Sequence, residues 1–517
     1  MYRLGIDVGG TNTDAIILDE EHQVVSFVKR HTSLDVGSGI EAALSAVLDD
    51  SGIDPKQINA VMLGTTQITN AVVERKKIAK VGVLRLAYPA TLSIKPFTYW
   101  PQGLVEKLGG LYAVVPGGYE YDGQILSELD EEAVKKQLAE WQGQVESVAV
   151  IGAFSSLKTD QEARVAALVH EAYGNEFPVT QSAEIGSIGL IQRENASILN
   201  AGLFKVIATT ITGFKQALAD KGVDNADLYL TQNDGTLMTA EFAQRFPILT
   251  IGSGPTNSIR GAAYLAGKDD AIVVDIGGTT TDLGVLKNGF PRESAIAVEV
   301  GGVSTNFRMP DILSIGLGGG SIVRVQPDGS VTVGPDSVGY EITEKALCFG
   351  GDTLTATDIA VRMGLADVGD KTKVSGVSQE VAEAGLAEIK HMIEVAIDKM
   401  KTSADDIEVI LVGGGAIIAP DHLAGVAKVI APEKGGVANA IGASISQISG
   451  TVDRIYPYTK IDREEALKQA EVEAGEHAKT AGALPDTLSV VEREEIPLAY
   501  DPNQSTRVKI KVVGELA

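Results

Sequence analysis

The sequence predicts an α/β protein built from two related domains around one cleft, and three observations predict it. Asp7-Val8-Gly9-Gly10-Thr11-Asn12-Thr13-Asp14 returns 268 residues later as Asp275-Ile276-Gly277-Gly278-Thr279-Thr280-Thr281-Asp282, with six of eight positions identical. Each copy follows β-type residues and runs into a second apolar stretch, Ala15 to Leu18 and Leu283 to Leu286, so the pattern is strand, Gly-Gly-Thr turn, strand. Elsewhere, short apolar runs alternate with helical periodicity, as α/β architectures require.

The chemistry of one copy follows from its residues. Two glycines let the backbone turn sharply and approach a ligand without a Cβ clash. The amide groups and threonine hydroxyls of such a turn form a concave anion site. An aspartate at the preceding strand end can face hydrated Mg²⁺, which takes one or two carboxylates together with phosphate oxygens. One copy alone reads equally well as an ordinary hairpin. Two copies imply two domains that grip one polyphosphate from both sides.

Taken in order, residues 2–18 form the first hairpin and Val24 to Lys29 its third strand. Ser38 to Asp50 is a helix, with Ile40, Ala43, Leu44 and Val47 at helical spacing. Ile58 to Leu63 is a strand ending in Gly64-Thr65-Thr66. The helix that follows either aims free amides at a ligand or is simply capped there. Residues 79–128 read as a loop-heavy insertion rich in Gly, Pro and Tyr, with short strands. Asp130 to Trp141 and Asp160 to Tyr173 are helices flanking a strand at Ser147 to Phe154. Arg193-Glu194-Asn195 opens a further helix, and a domain boundary is expected there. Ser253-Gly254-Pro255 suits a helix start with exposed amides. Glu408 to Val412 is a strand ending in Gly413-Gly414-Gly415, and Ala438-Asn439-Ala440 begins a helix of small residues. In the tail, Ala466, Ala470, Ala474 and Ala478 recur at four-residue steps, and Val508, Ile510 and Val512 alternate. The expected domains are residues 1–192, residues 193–437, a crossing helix at 438–455 and a small α+β appendage at 456–517.

Composition narrows the function. The 517 residues carry a net charge of −25, which argues against nucleic-acid or anionic-membrane partners. Glycine, 57 residues, exceeds the usual share of about 7% and fits a chain rich in ligand-approaching turns. A single cysteine, Cys348, excludes an intramolecular disulfide framework and reads as a buried thiol. The six histidines are scattered, without metal-ligand spacing. No signal peptide or membrane span is expected, so a cytoplasmic location is.

Two Asp-x-Gly-Gly-Thr hairpins, an apolar strand into Gly413-Gly414-Gly415 and the Ala438-Asn439 helix, in that order, resemble the superfamily of acetate kinase, sugar kinases, heat-shock chaperones and actin. The resemblance implies two ribonuclease-H-like (actin-like ATPase) domains around a nucleotide cleft. More narrowly, Gly64-Thr65-Thr66 with Asn70, Arg193-Glu194-Asn195, Ser253-Gly254-Pro255, the second hairpin, Gly318-Gly319-Gly320-Ser321 and Cys348-Phe349-Gly350-Gly351 resemble the nucleotide-binding, alpha-type subunit of the hydantoinase/oxoprolinase family. The stretch from Lys76 to Pro116 departs from that family's pattern.

The resemblance implies ATP-dependent hydrolysis of a cyclic amide, or activation of a related carbonyl, with ATP and Mg²⁺ as cofactors and a metal-containing hydantoinase-type partner in a homo- or hetero-oligomer. Asp7 and Asp275 are the expected carboxylates for Mg²⁺ through water, with Asp275 also a candidate to orient the attacking group. Gly9, Gly10, Thr11, Thr13, Gly277, Gly278, Thr279 and Thr280 are expected at phosphates, and Gly413, Gly414 and Gly415 at the adenosine. Arg193 is a candidate to stabilise transferring phosphoryl charge or, equally, a structural ion pair. Thr65, Thr66, Asn70, Glu194 and Asn195 are candidates for the substrate side. A small-molecule kinase and an ATP-driven activator or chaperone are the alternatives.

Overall fold

The computed structural model describes residues 2–9, 12–31, 36–186, 188–294, 298–307, 309–498 and 504–516. β1 (Tyr2–Val8), β2 (Asn12–Leu18) and β3 (Val24–His31) form an antiparallel meander. α1 (Val36–Ser51) crosses over, burying Ile40, Ala43, Leu44 and Val47, and β4 (Ile58–Thr65) returns parallel to β1. After α2 (Gln67–Glu74) the chain leaves this sheet. β5 (Val81–Tyr88), α3 (Gln102–Leu108), β6 (Leu111–Pro116), α4 (Glu131–Glu140), β7 (Ser147–Gly152), α5 (Asp160–Tyr173) and β8 (Val179–Gln181) build a four-stranded parallel sheet in the order β6-β5-β7-β8. The insertion is therefore more regular than its composition suggests. β5 is buried at seven of its eight residues, and a strand covered on both faces carries no apolar/polar alternation to read.

α6 (Leu190–Asp220) returns the chain to the first core. One 18-residue window of it has mean hydropathy 1.3, enough by length and composition to cross a membrane, yet 67% of that window is buried inside the protein. It serves as a core helix. β9 (Asp227–Thr231) then adds parallel to β4, and β10 (Leu237–Thr239) pairs antiparallel with β9. The sequence reading ends the first domain at residue 192. The structure carries residues 193–251 in the first lobe, because α6 and β9 complete its core and sheet. The boundary falls just before α8 (Ser253–Ala266), which follows the short α7 (Ala240–Arg245).

The second lobe repeats the plan. β11 (Ala271–Ile276), β12 (Thr281–Lys287) and β13 (Phe290–Pro291) form its meander. The β14 (Val298–Val300) and β15 (Val303–Thr305) hairpin reaches back, so that Val300, Val303 and Phe307 pack in the first lobe's core. β16 (Ile312–Ile315) lies beside β12, and β17 (Ser321–Val325) pairs with β18 (Val331–Ser337). α9 (Ile342–Lys345), α10 (Ala356–Arg362) and α11 (Gln379–Met400) follow, with Ile389, Ile393 and Ile397 of α11 buried. β19 (Ile407–Val412) runs parallel to β11, and β20 (Val426–Ile430) parallel to β19. Strand orders β3-β2-β1-β4 and β13-β12-β11-β19 thus match.

α12 (Ala438–Ile445) packs against both α8 and β1, and is shorter than the 438–455 helix read from the sequence because the chain enters a strand at Ile448. β21 (Ile448–Pro457) comes next, a strand where the sequence reading continues the crossing helix, and the tail then has its expected helix and two strands: α13 (Arg463–Thr480), β22 (Ser489–Pro497) and β23 (Ser505–Gly514). Its placement differs from a separate appendage. β21 pairs with β10 at Leu237–Ile448, so the three strands extend the first sheet to the order β22-β23-β21-β10-β9-β4-β1-β2-β3. The alanine stripe of α13 is fully buried against them. A buried ion pair, Lys511 Nζ to Asp234 Oδ2 at 2.8 Å, ties β23 to the β9–β10 turn.

Candidate nucleotide and metal site

The two hairpins have the same geometry. In the first, Asp7 stands opposite Asp14 and the Gly9 amide donates to the Asn12 carbonyl at 3.0 Å. In the second, Asp275 stands opposite Asp282 and the Gly277 amide donates to the Thr280 carbonyl at 2.9 Å. The parallel neighbour of each aspartate ends in glycine for a steric reason. A Cβ on Gly64 would lie 2.2 Å from Asp7 Oδ1, and a Cβ on Gly413 would lie 2.2 Å from Asp275 Oδ1. Gly413 also has φ +88°, which L side chains rarely adopt.

The second turn is clasped from two sides. The Gly415 amide donates to the Ile276 carbonyl at 2.7 Å. The Gly319 and Gly320 amides donate to the carbonyls of Gly277 and Gly278 at 3.0 and 2.8 Å. The structure therefore gathers Gly277, Gly278, Thr279, the Gly413–Gly415 turn and the Gly318–Gly320 turn in one place. Thr280 is exposed, Gly9 half-buried, and Thr13 buried within its strand, as is its counterpart Thr281. Gly10 and Thr11 lie outside the described residues.

The carboxylates are held in unfavourable surroundings. Asp7 is 4% exposed; its Oδ2 accepts from Asn439 Nδ2 at 3.3 Å, its Oδ1 has no hydrogen-bond partner, and the Asn257 amide stands alongside. Burial, with Asp14 next to it, pushes the Asp7 carboxyl up to about 6. Burial also pushes Asp275 up to about 6, against the Ser258 hydroxyl bonded to its Oδ2 and with Asp282 adding to the rise. Asp14 meets Lys29 Nζ at 3.0 Å, and that ammonium also donates to the Gly436 carbonyl at 2.7 Å. Asp282 accepts from the Ser314 hydroxyl. Desolvated carboxylates, one with an oxygen lacking a hydrogen-bond partner, suit the neighbourhood of a cation. Among the described residues no group of three or more His, Cys, Asp or Glu forms a metal cage. A cation here would keep water or phosphate oxygens as its other ligands, as Mg²⁺ does.

The remaining sequence candidates separate into two groups. Thr65 and Thr66 lie at the first hairpin, with the Thr66 amide and hydroxyl donating to the Val8 carbonyl at 3.3 and 3.2 Å. Gly254, in the first turn of α8, approaches Thr66, and the neighbouring Ser253 hydroxyl is buried without a partner. Asn70 is exposed on α2. Arg193, Glu194 and Asn195 are instead buried and committed to the scaffold. Arg193 donates to Ser182 Oγ at 3.0 Å and to the Gly152 carbonyl at 2.5 Å. Glu194 takes both Arg85 donors, at 2.7 and 2.6 Å, with Arg85 fully buried. Asn195 accepts from Trp100 Nε1 at 2.8 Å and donates to the Ser304 carbonyl at 2.8 Å, fastening the β14–β15 hairpin. Cys348 is buried, and burial with Asp358 beside it pushes its thiol up to about 12, far from a nucleophile.

Sequence reasoning does not single out Asn257, Ser258, Asn439 or Lys29 as site residues. All four reach the aspartates from other elements, so only their fixed distances from Ser253-Gly254-Pro255 and Ala438 could have marked them. Two cavities, of about 680 and 480 Å³, lie elsewhere: one between β13 and the β22–β23 strands, the other between residues 183–186, α7 and β21.

With this geometry in place, comparison with known proteins is informative. Residues 3–173 match the model of the hydantoinase/oxoprolinase N-terminal region, and residues 193–368 match the hydantoinase/oxoprolinase model. The chain is 29% identical over 389 residues to caprolactamase subunit alpha of Pseudomonas jessenii, covering 71% of this chain and 55% of that one. It is 26% identical over 394 residues to the acetophenone carboxylase gamma subunit of Aromatoleum aromaticum, covering 70% and 53%. It thus spans just over half the length of these curated relatives. Its fold matches the crystal structure of the ATP-dependent caprolactamase from Pseudomonas jessenii, with a TM-score of 0.77 at 21% identity, over 100% of this chain and 88% of that one. It also matches nucleotide-free acetone carboxylase, with a TM-score of 0.66 at 18% identity, over 99% and 88%. The chain belongs to the hydantoinase/oxoprolinase family.

Proposed function

We propose that this chain is the ATP-binding subunit of an enzyme that hydrolyses a cyclic amide by phosphorylating its carbonyl oxygen. The observation that carries the reading is the pair of matched hairpins, with Asp7 opposite Asp14 and Asp275 opposite Asp282 and a glycine, Gly64 or Gly413, packed against each inner carboxylate. The names of the relatives, an ATP-dependent caprolactamase and ATP-dependent carboxylases of ketones, support carbonyl activation as the common chemistry.

An amide carbon is a poor electrophile. Transfer of the γ-phosphoryl to the amide oxygen forms an O–P bond and breaks the bond between the γ-phosphorus and the β–γ bridging oxygen, releasing ADP. Water then adds to the activated carbon, the ring C–N bond breaks as the nitrogen takes up a proton, and the acyl phosphate that remains is hydrolysed by a second water to carboxylate and phosphate. Phosphoryl transfer asks the protein for positioning and charge stabilisation more than for a nucleophile. The amides of Gly278 to Thr280 are the candidates for phosphate oxygens, and the Gly413–Gly415 turn, packed against that hairpin, is the candidate for the adenosine. Asp7 and Asp275 would hold Mg²⁺ through water, and Mg²⁺ bound with the nucleotide supplies charge neutralisation on the polyphosphate. Thr65 and Thr66 border the acceptor side, while Arg193, Glu194 and Asn195 are positioning residues that keep α6 and the β14–β15 hairpin in place. The water-addition step is assigned to a metal-containing partner subunit, since several relatives are named as subunits.

The test is phosphate release from MgATP by the chain co-purified with its partner, in the presence of lactams, hydantoins or 5-oxoproline. Release stimulated by one of these rings is expected. Accumulation of a stable phosphorylated product without a partner would make the chain a small-molecule kinase instead, and no stimulation by any ring would sink the amidohydrolase reading.

A further inference from the structure

The two aspartates belong to different lobes, yet they are joined by side chains that neither hairpin supplies. α8 and α12 cross in backbone contact. A Cβ on Gly261 of α8 would lie 1.9 Å from the Ala438 carbonyl oxygen, and a Cβ on Gly442 of α12 would lie 1.9 Å from the Asn257 carbonyl oxygen. A Cβ on Gly5 would likewise lie 2.6 Å from the Ala440 carbonyl oxygen, which seats α12 against β1. At this crossing Asn439 Nδ2 donates to Asp7 Oδ2 at 3.3 Å. Asn439 Oδ1 contacts the Ser258 hydroxyl, and the same hydroxyl contacts Asp275 Oδ2. An unbroken line Asp7–Asn439–Ser258–Asp275 therefore spans the lobes.

Its hydrogen count is informative. Ser258 has one hydrogen and faces two acceptors, Asn439 Oδ1 and Asp275 Oδ2. When Asp275 faces a cation, the hydrogen is released to Asn439 Oδ1. That orients the Asn439 amide with its donors toward Asp7. The order imposed on one carboxylate is then passed to the other. The small residues at the crossing keep the two helices from sliding, so the line has one length.

We propose that Ser258 and Asn439 are positioning residues that couple Asp7 to Asp275 and make the two lobes respond together to a divalent cation bound with nucleotide; this rests on the nucleotide reading above. Neither residue contacts the nucleotide in this scheme. Their effect is on the metal-dependent part of the affinity, not on nucleotide affinity as such.

Calorimetric titration with ATP in EDTA and with MgATP tests this on wild type, Ser258→Ala, Asn439→Ala and the double variant. In wild type Mg²⁺ should raise the affinity. Each single variant should lower that enhancement about tenfold while leaving affinity in EDTA within about twofold, and the double variant should be no worse than the worse single one, the mark of one coupled unit. Ser258→Thr, which keeps the hydroxyl, should return the enhancement toward the wild-type value. If Asn439→Ala does not melt cooperatively, Asn439→Ser takes its place in the cycle. Additive losses, an unchanged enhancement, or equal losses with and without Mg²⁺ would overturn the coupling and leave the nucleotide reading standing. Wild type that binds no nucleotide at all would remove both.

Discussion

The two hairpins share a register and a steric glycine, and they differ in how each is fastened. In the first lobe the outer carboxylate, Asp14, is ion-paired to Lys29, which also reaches the Gly436 carbonyl beside α12. In the second lobe Asp282 has a hydroxyl partner, Ser314, and the turn itself is clasped by the Gly318–Gly320 and Gly413–Gly415 backbones. Asp7 is almost wholly buried, whereas Asp275 is half-buried and the Gly277–Thr280 turn is open. The first copy holds its inner carboxylate deep beside α12, and the second leaves its inner carboxylate and turn partly open to solvent.

The glycines beside the aspartates should give the largest effects. Gly413→Ala places a methyl 2.2 Å from Asp275 Oδ1 and 2.3 Å from the Ile276 carbonyl, at φ +88°. Gly64→Ala places one 2.2 Å from Asp7 Oδ1 without backbone strain. Both should weaken MgATP binding by about a hundredfold, near 2.7 kcal/mol. Only Gly413→Ala should also lower stability, and with it the melting temperature, through its backbone, by the roughly 1–2 kcal/mol that the left-handed region costs an L residue. Calorimetry beside thermal melts separates the two, and equal melting losses would erase the contrast between the lobes.

Next are the carboxylates. Asp7→Asn should remove most of the Mg²⁺-dependent gain in ATP affinity, about tenfold or more, because its buried Oδ1 has no hydrogen-bond partner while the neighbouring Asp14 is already paired with Lys29. Asp275→Asn should cost less, since that site is half-open to water. Unchanged MgATP affinity in Asp7→Asn would end its assignment to the metal.

How much of this was legible beforehand follows the range of the interactions. The hairpins, the Gly413–Gly415 turn and the alanine stripe of α13 are local patterns, and each lies where its spacing predicts. β5 was hidden because burial on both faces removes alternation. The boundary at residue 193 moved because strand order in a sheet is set by pairing between distant segments, here β4 with β9 and β10 with β21. Arg193-Glu194-Asn195 reads as site chemistry in sequence because charged residues seldom sit in cores; the structure gives Glu194 a buried arginine and Asn195 a tryptophan. Ser258 and Asn439 meet only through a helix crossing between segments 181 residues apart, which no local pattern announces.

The tail gives the lobes different responses to acid. Burial alone would raise the Asp234 carboxyl, but Lys511 and Thr236 outweigh it and hold it down to about 2. A depressed carboxylate contributes stability above its unfolded value near 3.8, and that contribution is lost as pH falls from about 4 toward 2. The loss should be about 2 kcal/mol. Because Asp234 anchors the tail to the first lobe, that sheet should open first on acidification. Asp234→Asn should flatten the stability profile across this window while lowering stability at neutral pH, since it leaves Lys511 buried without its charge partner. A wild-type melting curve that does not change between pH 4 and 2.5 would show that the pair does not govern acid sensitivity.

The smallest effect should come from the fastening of the outer carboxylates. Lys29 is 36% exposed, so its pairing with Asp14 is screened and worth at most about 1 kcal/mol. Lys29→Met should therefore lower the melting temperature slightly, and more at low salt than at high salt, because screening already weakens the wild-type pair. Ser314→Ala removes a hydroxyl from Asp282 and no charge, so its small effect should not depend on salt. The two variants thus distinguish an electrostatic fastening in one lobe from a hydrogen-bonded one in the other. If both variants follow salt alike, the difference between the hairpins lies in the clasping glycines alone. Lys29 would then serve α12 through the Gly436 carbonyl and not the carboxylate opposite Asp7.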